Sequence, residues 1–330
     1  IGTLLKIETL PIPEPGPGEV LIKVHACGVC HSDLHAVEGD WSPLPNLPLI
    51  PGHEVVGEVA ALGAGVDHLA PGQRIGVPWM YSACGHCEFC LSGMETICLA
   101  AEATGYSKPG GYAEYMVADA AFCGRIPDGA DAYEIAPILC AGVTTYRGLK
   151  RTGARPGQWV TVIGIGGLGH IAVQYARAMG LRVAAVDVSA AKLDHAKTLG
   201  AEIVVNAAEV DPGTEIRRLI GGSHAAVEVA SSDDDRELRP GLADIDDLPR
   251  DRGHGLRVDA VVPVAHQALA GQLQEDAAER HRHADRQRGH RVVRLRAHDP
   301  ATAIRLNPFN VAPAAASAEP TDADWSWIHA

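Results

Sequence analysis

Two rhythms of apolar and polar residues divide the chain. Through about residue 148 the apolar positions come in short alternating runs, at Glu19–Val24, Glu54–Ala60, Arg74–Val77 and Tyr112–Val117. Alternation on this scale predicts half-buried strands. Pro-Gly pairs at Pro15-Gly16, Pro17-Gly18, Pro51-Gly52 and Pro71-Gly72 punctuate them as turns. Residues 1–148 therefore read as an irregular β domain organised around loops. From Trp159 the texture changes. Buried strands are predicted at Val160–Ile163, Arg182–Asp187, Ile203–Val205 and Ala225–Ala230, with helices at Leu168–Met179, Ala190–Leu199 and Asp211–Ile220 between them. Strand and helix alternating at this spacing predict an α/β fold with a parallel sheet covered on both faces. Residues 149–230 form its first part.

Beyond Ala230 both rhythms stop. Residues 231–330 hold 13 Arg and no Lys, against nine Arg and six Lys before them, and only five of the 36 Gly. No strand or helix period persists, so this segment is not expected to continue the sheet and is left unassigned. Its composition is what a shifted reading frame near residues 228–232 of a GC-rich gene produces. The chain also begins at Ile1 rather than Met, and a short N-terminal piece is expected to be missing.

Composition narrows the partners. With 28 basic against 41 acidic residues, neither nucleic acid nor an anionic membrane is expected. The arginine-rich tail does not change this, because it holds 17 acidic residues as well. The longest apolar stretch, Val160 to Val173, is broken by four glycines and a histidine. It falls short of the roughly 20 apolar residues a membrane span needs. Eight cysteines without a secretory signal read as reduced thiols in the cytoplasm, available for metal or catalysis.

Four of those cysteines, Cys84, Cys87, Cys90 and Cys98, follow the spacing C-x2-C-x2-C-x7-C. Thiolates gathered by one short loop close a tetrahedral zinc shell without distant help, so a structural zinc is expected there. A second set is dispersed: Cys30 in Cys27-Gly28-Val29-Cys30-His31-Ser32-Asp33 on a loop, His53 in Gly52-His53-Glu54, and Cys140 in Ile138-Leu139-Cys140-Ala141-Gly142. Cys, His and Cys make a three-ligand zinc with an open fourth position, able to polarise a bound oxygen and lower the pKa of an alcohol. Asp33 and Glu54 would be carboxylates orienting His53 or tuning the metal, or else ordinary surface acids. Cys27 and Cys123 read as free thiols, and His25 and His68 as structural or solvent-facing.

The third constellation is Gly164-Ile165-Gly166-Gly167-Leu168-Gly169, placed directly after a predicted strand and opening a helix. In that context the glycines admit a pyrophosphate to the backbone at a helix N-terminus. Asp187 ends the next strand, 18 residues after Gly169. A carboxylate there binds an adenosine ribose and repels a 2′-phosphate, favouring NAD over NADP. Lys192 either closes over the same ribose or is a solvated helix lysine.

Together these residues resemble the zinc-dependent medium-chain alcohol dehydrogenases, especially the bacterial and yeast-type branch. The likeness lies in Cys27–His35, Pro51–Glu54, the four-cysteine loop, Ile138–Tyr146 and Gly164–His170, and it covers about residues 1–230. It implies a GroES-like catalytic domain joined to a Rossmann doubly wound sheet, two zincs per chain, NAD, and a homotetramer where the family's C-terminus is present. By resemblance Cys30, His53 and Cys140 hold the catalytic zinc, with Glu54 close behind it. Ser32 takes the alcohol proton and passes it through the cofactor ribose to His35. His31 faces the pyrophosphate. Trp41 and Trp79 match positions that narrow the pocket toward small primary alcohols, although plain core packing also accounts for Trp41. The family carries two further sheet strands after the fourth, and no such pattern follows Ala230. Three readings remain: oxidation of small primary alcohols to aldehydes, a polyol or aryl-alcohol dehydrogenase of the same superfamily, or a silent zinc-binding remnant if the tail is genuine.

Overall fold

The computed structural model describes residues 5–45 and 47–229, together with the backbone of strand 289–294. Two compact units divide between Cys140 and Ala141, and the late strand belongs with the first. The first unit contains β1 (Lys6–Pro11), β2 (Glu19–Cys27), α1 (His31–Glu38), β3 (Val55–Leu62), β4 (Arg74–Val77), β5 (Met80–Ser82), α2 (Glu88–Leu91), β6 (Glu102–Ala103), β7 (Tyr115–Asp119), β8 (Gly124–Arg125) and α3 (Ala132–Ile135). Five of these strands form an antiparallel sheet in the order β7-β2-β3-β4-β8. The pairing of β2 with β3 shifts register after Leu21 and again after Val24. Such irregularities bend a strand and re-aim its end, and β2 ends in the segment that leads to Cys30. Val20, Ile22, Val55, Val59, Ile75 and Val77 fill one buried cluster of this sheet. This is the GroES-like irregular β fold.

The second unit runs through α4 (Ala141–Arg151), β9 (Trp159–Ile163), α5 (Gly169–Ala178), β10 (Arg182–Asp187), α6 (Ala190–Thr198), β11 (Ile203–Asn206), α7 (Pro212–Ile220) and β12 (Ala225–Glu228). Its sheet is parallel throughout, in the order β11-β10-β9-β12. All five residues of β9 and the last five of β10 are buried. Helices cover both faces of such a sheet, so its strands read as continuous apolar runs. The order reverses between β9 and β12, and the glycine segment leaves the carboxyl end of β9. That is the position at which doubly wound sheets bind their ligands.

Three expectations need correction. Residues from His31 onward are helical rather than loop: Cys30 caps α1, and Asp33 in its first turn reaches back to the Cys30 amide at 3.0 Å. The Tyr112–Val117 run begins its strand only at Tyr115, because Gly110, Gly111 and Tyr112 hydrogen-bond to Ile50, Gly52 and Pro51 instead. Within the tail, Gly289–Arg294 forms a strand, β13, paired antiparallel with β1. No local period announced it, since its partner lies at the other end of the chain. The remaining expectations for 230–288 and 295–330 lie outside the described residues.

Candidate metal and dinucleotide sites

Donor atoms of Cys30, His53, Glu54 and Cys140 lie within 4.8 Å of one another, all in the first unit. Local chain geometry brings each there. Cys30 is the α1 cap, His53 and Glu54 lead into β3, and Cys140 ends a 3-10 turn at Ala136–Leu139. Gly52 precedes His53 with φ of 99°, a left-handed conformation that glycine adopts freely. That turn aims the Gly52 amide at Asp33 Oδ1, 3.0 Å away.

The wholly buried His53 donates Nδ1–H to Asp33 Oδ1 at 3.1 Å, while its Nε2 has no hydrogen-bond partner among the described residues. Leaving a buried polar atom unpaired costs about 1–3 kcal/mol. A metal ligand accounts for the arrangement, since its second ring nitrogen is normally held by a carboxylate. Cys30 and Cys140 sulfurs stand 3.9 Å apart. The Cys140 thiol hydrogen bond, helped by His53, holds Cys30 down at about 4 despite burial. The same bond, with burial, pushes Cys140 far above the ordinary thiol range. Burial opposes charge on His53, but Asp33 and the Cys30 thiolate outweigh it and hold the imidazole up at about 10. Glu54 is pushed up to about 8 by burial and by the Cys30 thiolate. Two thiols, a carboxyl and an imidazole thus share too few positive charges, a donor set that a divalent cation such as zinc fits.

The four predicted cysteines Cys84, Cys87, Cys90 and Cys98 also gather within 4.8 Å. Cys84 to Cys90 is 3.8 Å and Cys87 to Cys90 is 3.5 Å. Backbone amides of His86 and Cys87 bring Cys84 down to about 6, whereas partial burial and thiolate neighbours push Cys90 up to about 12. Four sulfurs this close fit a tetrahedral zinc. We predict that Cys90→Ser removes one zinc equivalent and lowers the thermal midpoint by more than about 5 °C. Calorimetry beside metal analysis checks this; an unchanged midpoint with two zincs retained would exclude the role.

Around the dispersed site, α1 carries His31 (exposed) and Ser32 (buried) in its first turn and His35 one turn further on. His31 and His35 rings are 4.6 Å apart, and His35 Nδ1 lies 2.7 Å from Asp40 Oδ2. Trp79 meets His53 edge-on at 4.8 Å and Trp41 at 5.8 Å. Sequence reasoning missed Tyr106, whose ring is 5.6 Å from Trp41 and 6.0 Å from Trp79, and whose hydroxyl donates to the Pro43 carbonyl. It also missed Asp40 and Tyr112. None of the three lies in a recognisable motif. Only the tertiary structure brings the two tyrosines to the site.

In the second unit Gly164 has φ of 87°, and a Cβ on Gly169 would overlap the Gly164 carbonyl oxygen. Gly166 and Gly167 face open space, and Leu168 precedes the first turn of α5. Backbone without side chains at a strand-to-helix turn is a cradle that suits a pyrophosphate. Asp187 closes β10, almost fully buried, and accepts from Ile165 N at 2.7 Å and Ser189 N at 2.9 Å. Lys192 Nζ is 3.8 Å from the same carboxylate.

Residues 16–128 match the family described as alcohol dehydrogenase GroES-like domain, and residues 167–238 the one described as zinc-binding dehydrogenase. An alcohol dehydrogenase of Moraxella sp. strain TAE123 is 56% identical over 231 residues, 70% of this chain and 68% of that protein. One from Geobacillus stearothermophilus is 56% identical over 228 residues, 69% of this chain and 68% of that protein. A crystal structure of an NAD-dependent alcohol dehydrogenase matches with a TM-score of 0.65 at 32% identity, covering 79% of this chain and 77% of that one. The chain belongs to the zinc-binding alcohol dehydrogenase family of medium-chain dehydrogenases, a class of oxidoreductases. No described helix is long and apolar enough to cross a membrane.

Proposed function

We propose that this protein oxidises small primary alcohols to aldehydes, reversibly, with NAD as hydride acceptor and two zincs per chain. The observation that carries the reading is the Cys30–His53–Glu54–Cys140 donor set, with His53 Nε2 buried and unpartnered. Cys30, His53 and Cys140 would hold one zinc and Cys84, Cys87, Cys90 and Cys98 the other. Zinc at the first site supplies a Lewis acid that makes an alcohol hydroxyl acidic near neutral pH. Asp33 fixes the His53 tautomer by taking its Nδ1 proton in a hydrogen bond, and Glu54 places a further carboxyl beside the ligands. Ser32 accepts the alcohol proton, and His35, oriented by Asp40, releases it to solvent. Trp41, Trp79 and Tyr106 exclude water and bulky substituents. Gly164, Gly166, Gly167, Leu168 and Gly169 cradle the cofactor pyrophosphate, while Asp187 and Lys192 bind its ribose. A homotetramer in the cytoplasm is part of the same reading and rests on the family likeness alone.

The test is NADH formation at 340 nm with ethanol, benzyl alcohol and sorbitol. Ethanol should give the highest kcat/KM, by at least about tenfold over sorbitol. Sorbitol or benzyl alcohol in the lead would replace this reading with the polyol or aryl-alcohol one. A second reading, a zinc protein without turnover, is favoured by the curated match covering 70% of this chain and 68% of that relative. Two zincs with no activity on any of the three alcohols would select it.

A further inference from the structure

Resting on the metal reading of the Cys30–His53–Cys140 site, we infer that Tyr112 is a positioning residue for that site, acting through Asp33. Asp33 is 1% exposed, and burying a carboxyl group that deep is costly unless its oxygens are hydrogen-bonded. Among the described residues it accepts from four donors. Cys30 N and the Tyr112 hydroxyl reach Oδ2 at 3.0 and 3.1 Å; Gly52 N and His53 Nδ1 reach Oδ1 at 3.0 and 3.1 Å. Two donors are main chain and one is the ligand being oriented. Tyr112 supplies the fourth from 79 residues away in sequence.

Its position does not depend on that hydroxyl. Gly110 N donates to Ile50 O at 2.7 Å, Gly111 N to Gly52 O at 2.9 Å and Tyr112 N to Pro51 O at 3.0 Å. These bonds lash the tyrosine's segment to the residues that precede His53. The ring packs so closely on Gly52 that a Cβ there would come within 2.6 Å of Tyr112 Cδ1. Tyr112→Phe therefore keeps the backbone and the ring and removes the hydroxyl, with its 3.1 Å bond to Asp33 Oδ2 and its longer 3.5 Å contact to the Gly28 carbonyl, leaving Asp33 Oδ2 with a single donor. The weakened carboxylate then holds the Nδ1–H of His53 less firmly. Partners of ligating histidines set metal affinity over about 10- to 100-fold, and one step further out the lower end applies.

The experiment uses the zinc-loaded full chain and follows zinc release to 4-(2-pyridylazo)resorcinol by absorbance. His53→Ala and Cys90→Ser assign the two release phases. Tyr112→Phe should release zinc about tenfold faster from the Cys30–His53–Cys140 site, with the four-cysteine phase unchanged. In an Asp33→Asn background the same change should add less than twofold, as two residues acting through one contact are not additive. An unaltered first phase would overturn the inference. So would acceleration of both phases, or an equal effect with Asp33→Asn, since either marks general packing. A native chain showing only the four-cysteine phase would sink the metal reading itself, a result visible before any Tyr112 variant is made.

Discussion

His53→Ala should leave one zinc per chain where the native sequence holds two, and lower turnover at least about a thousandfold. A Lewis acid contributes several kcal/mol of charge stabilisation, and each 1.36 kcal/mol is worth a factor of ten. About 4 kcal/mol therefore gives three orders of magnitude. His53 is the sharpest residue to remove because its Nε2 has no other role: the atom is buried and has no partner among the described residues. Cys30→Ser makes the same test with almost no change of volume. A neutral serine hydroxyl is a poor substitute for a thiolate as a zinc ligand. Both variants should retain the parallel sheet, whose core of Val160, Val162, Val183, Ala185 and Val227 lies in the other unit. Metal analysis, far-ultraviolet dichroism and NADH formation on one preparation check all three statements. Activity within tenfold of the native chain, in either variant, would remove these residues from the ligand set.

How much of this was legible beforehand depended on whether the signal was local. The parallel sheet was readable because both faces are covered, so β9 and β10 are near-continuous apolar runs. The four-cysteine lobe was readable because its cysteines are sequence neighbours. Helix α1 was not. His31-Ser-Asp-Leu-His-Ala-Val-Glu38 has little apolar periodicity, and the Asp33-to-Cys30 cap, rather than an apolar stripe, marks its start. The dispersed site was legible as a Cys30–His53–Cys140 set, but not in which side chains hold and enclose it. The sequence offered Asp33 and Glu54 alike as carboxylates for His53; the structure puts Asp33, 20 residues away, on its Nδ1, and no motif surrounds Tyr106 or Tyr112. Strand β13 pairs with β1 across most of the chain, a contact that local patterning cannot announce.

Replacing Asp187 should weaken the choice of cofactor more than it harms the fold. A carboxylate near a 2′-phosphate faces one to two negative charges at close range. At an effective dielectric constant of about 20 and a separation of about 5 Å this repulsion is of order 3 kcal/mol, before screening by water reduces it. A discrimination of about a hundredfold against NADP follows. Asp187→Gly should erase most of it, lowering the ratio of kcat/KM for NAD over NADP at least tenfold. If Asp187 accepts from the ribose hydroxyls as proposed, part of the effect should fall on NAD itself. The structure adds a cost that the strand position alone did not predict. Asp187 also accepts the amides of Ile165 and Ser189, so its loss frees the turn that carries the glycines. Asp187→Asn separates the two contributions: its side-chain oxygen still accepts one of these amides while the charge is gone. If charge governs the choice, Asn should shift the cofactor ratio nearly as far as Gly, with a smaller loss of thermal stability. Were Asn to leave the ratio unchanged while Gly lowered both affinities together, Asp187 would be a support for the glycine turn and not the residue that tells NAD from NADP.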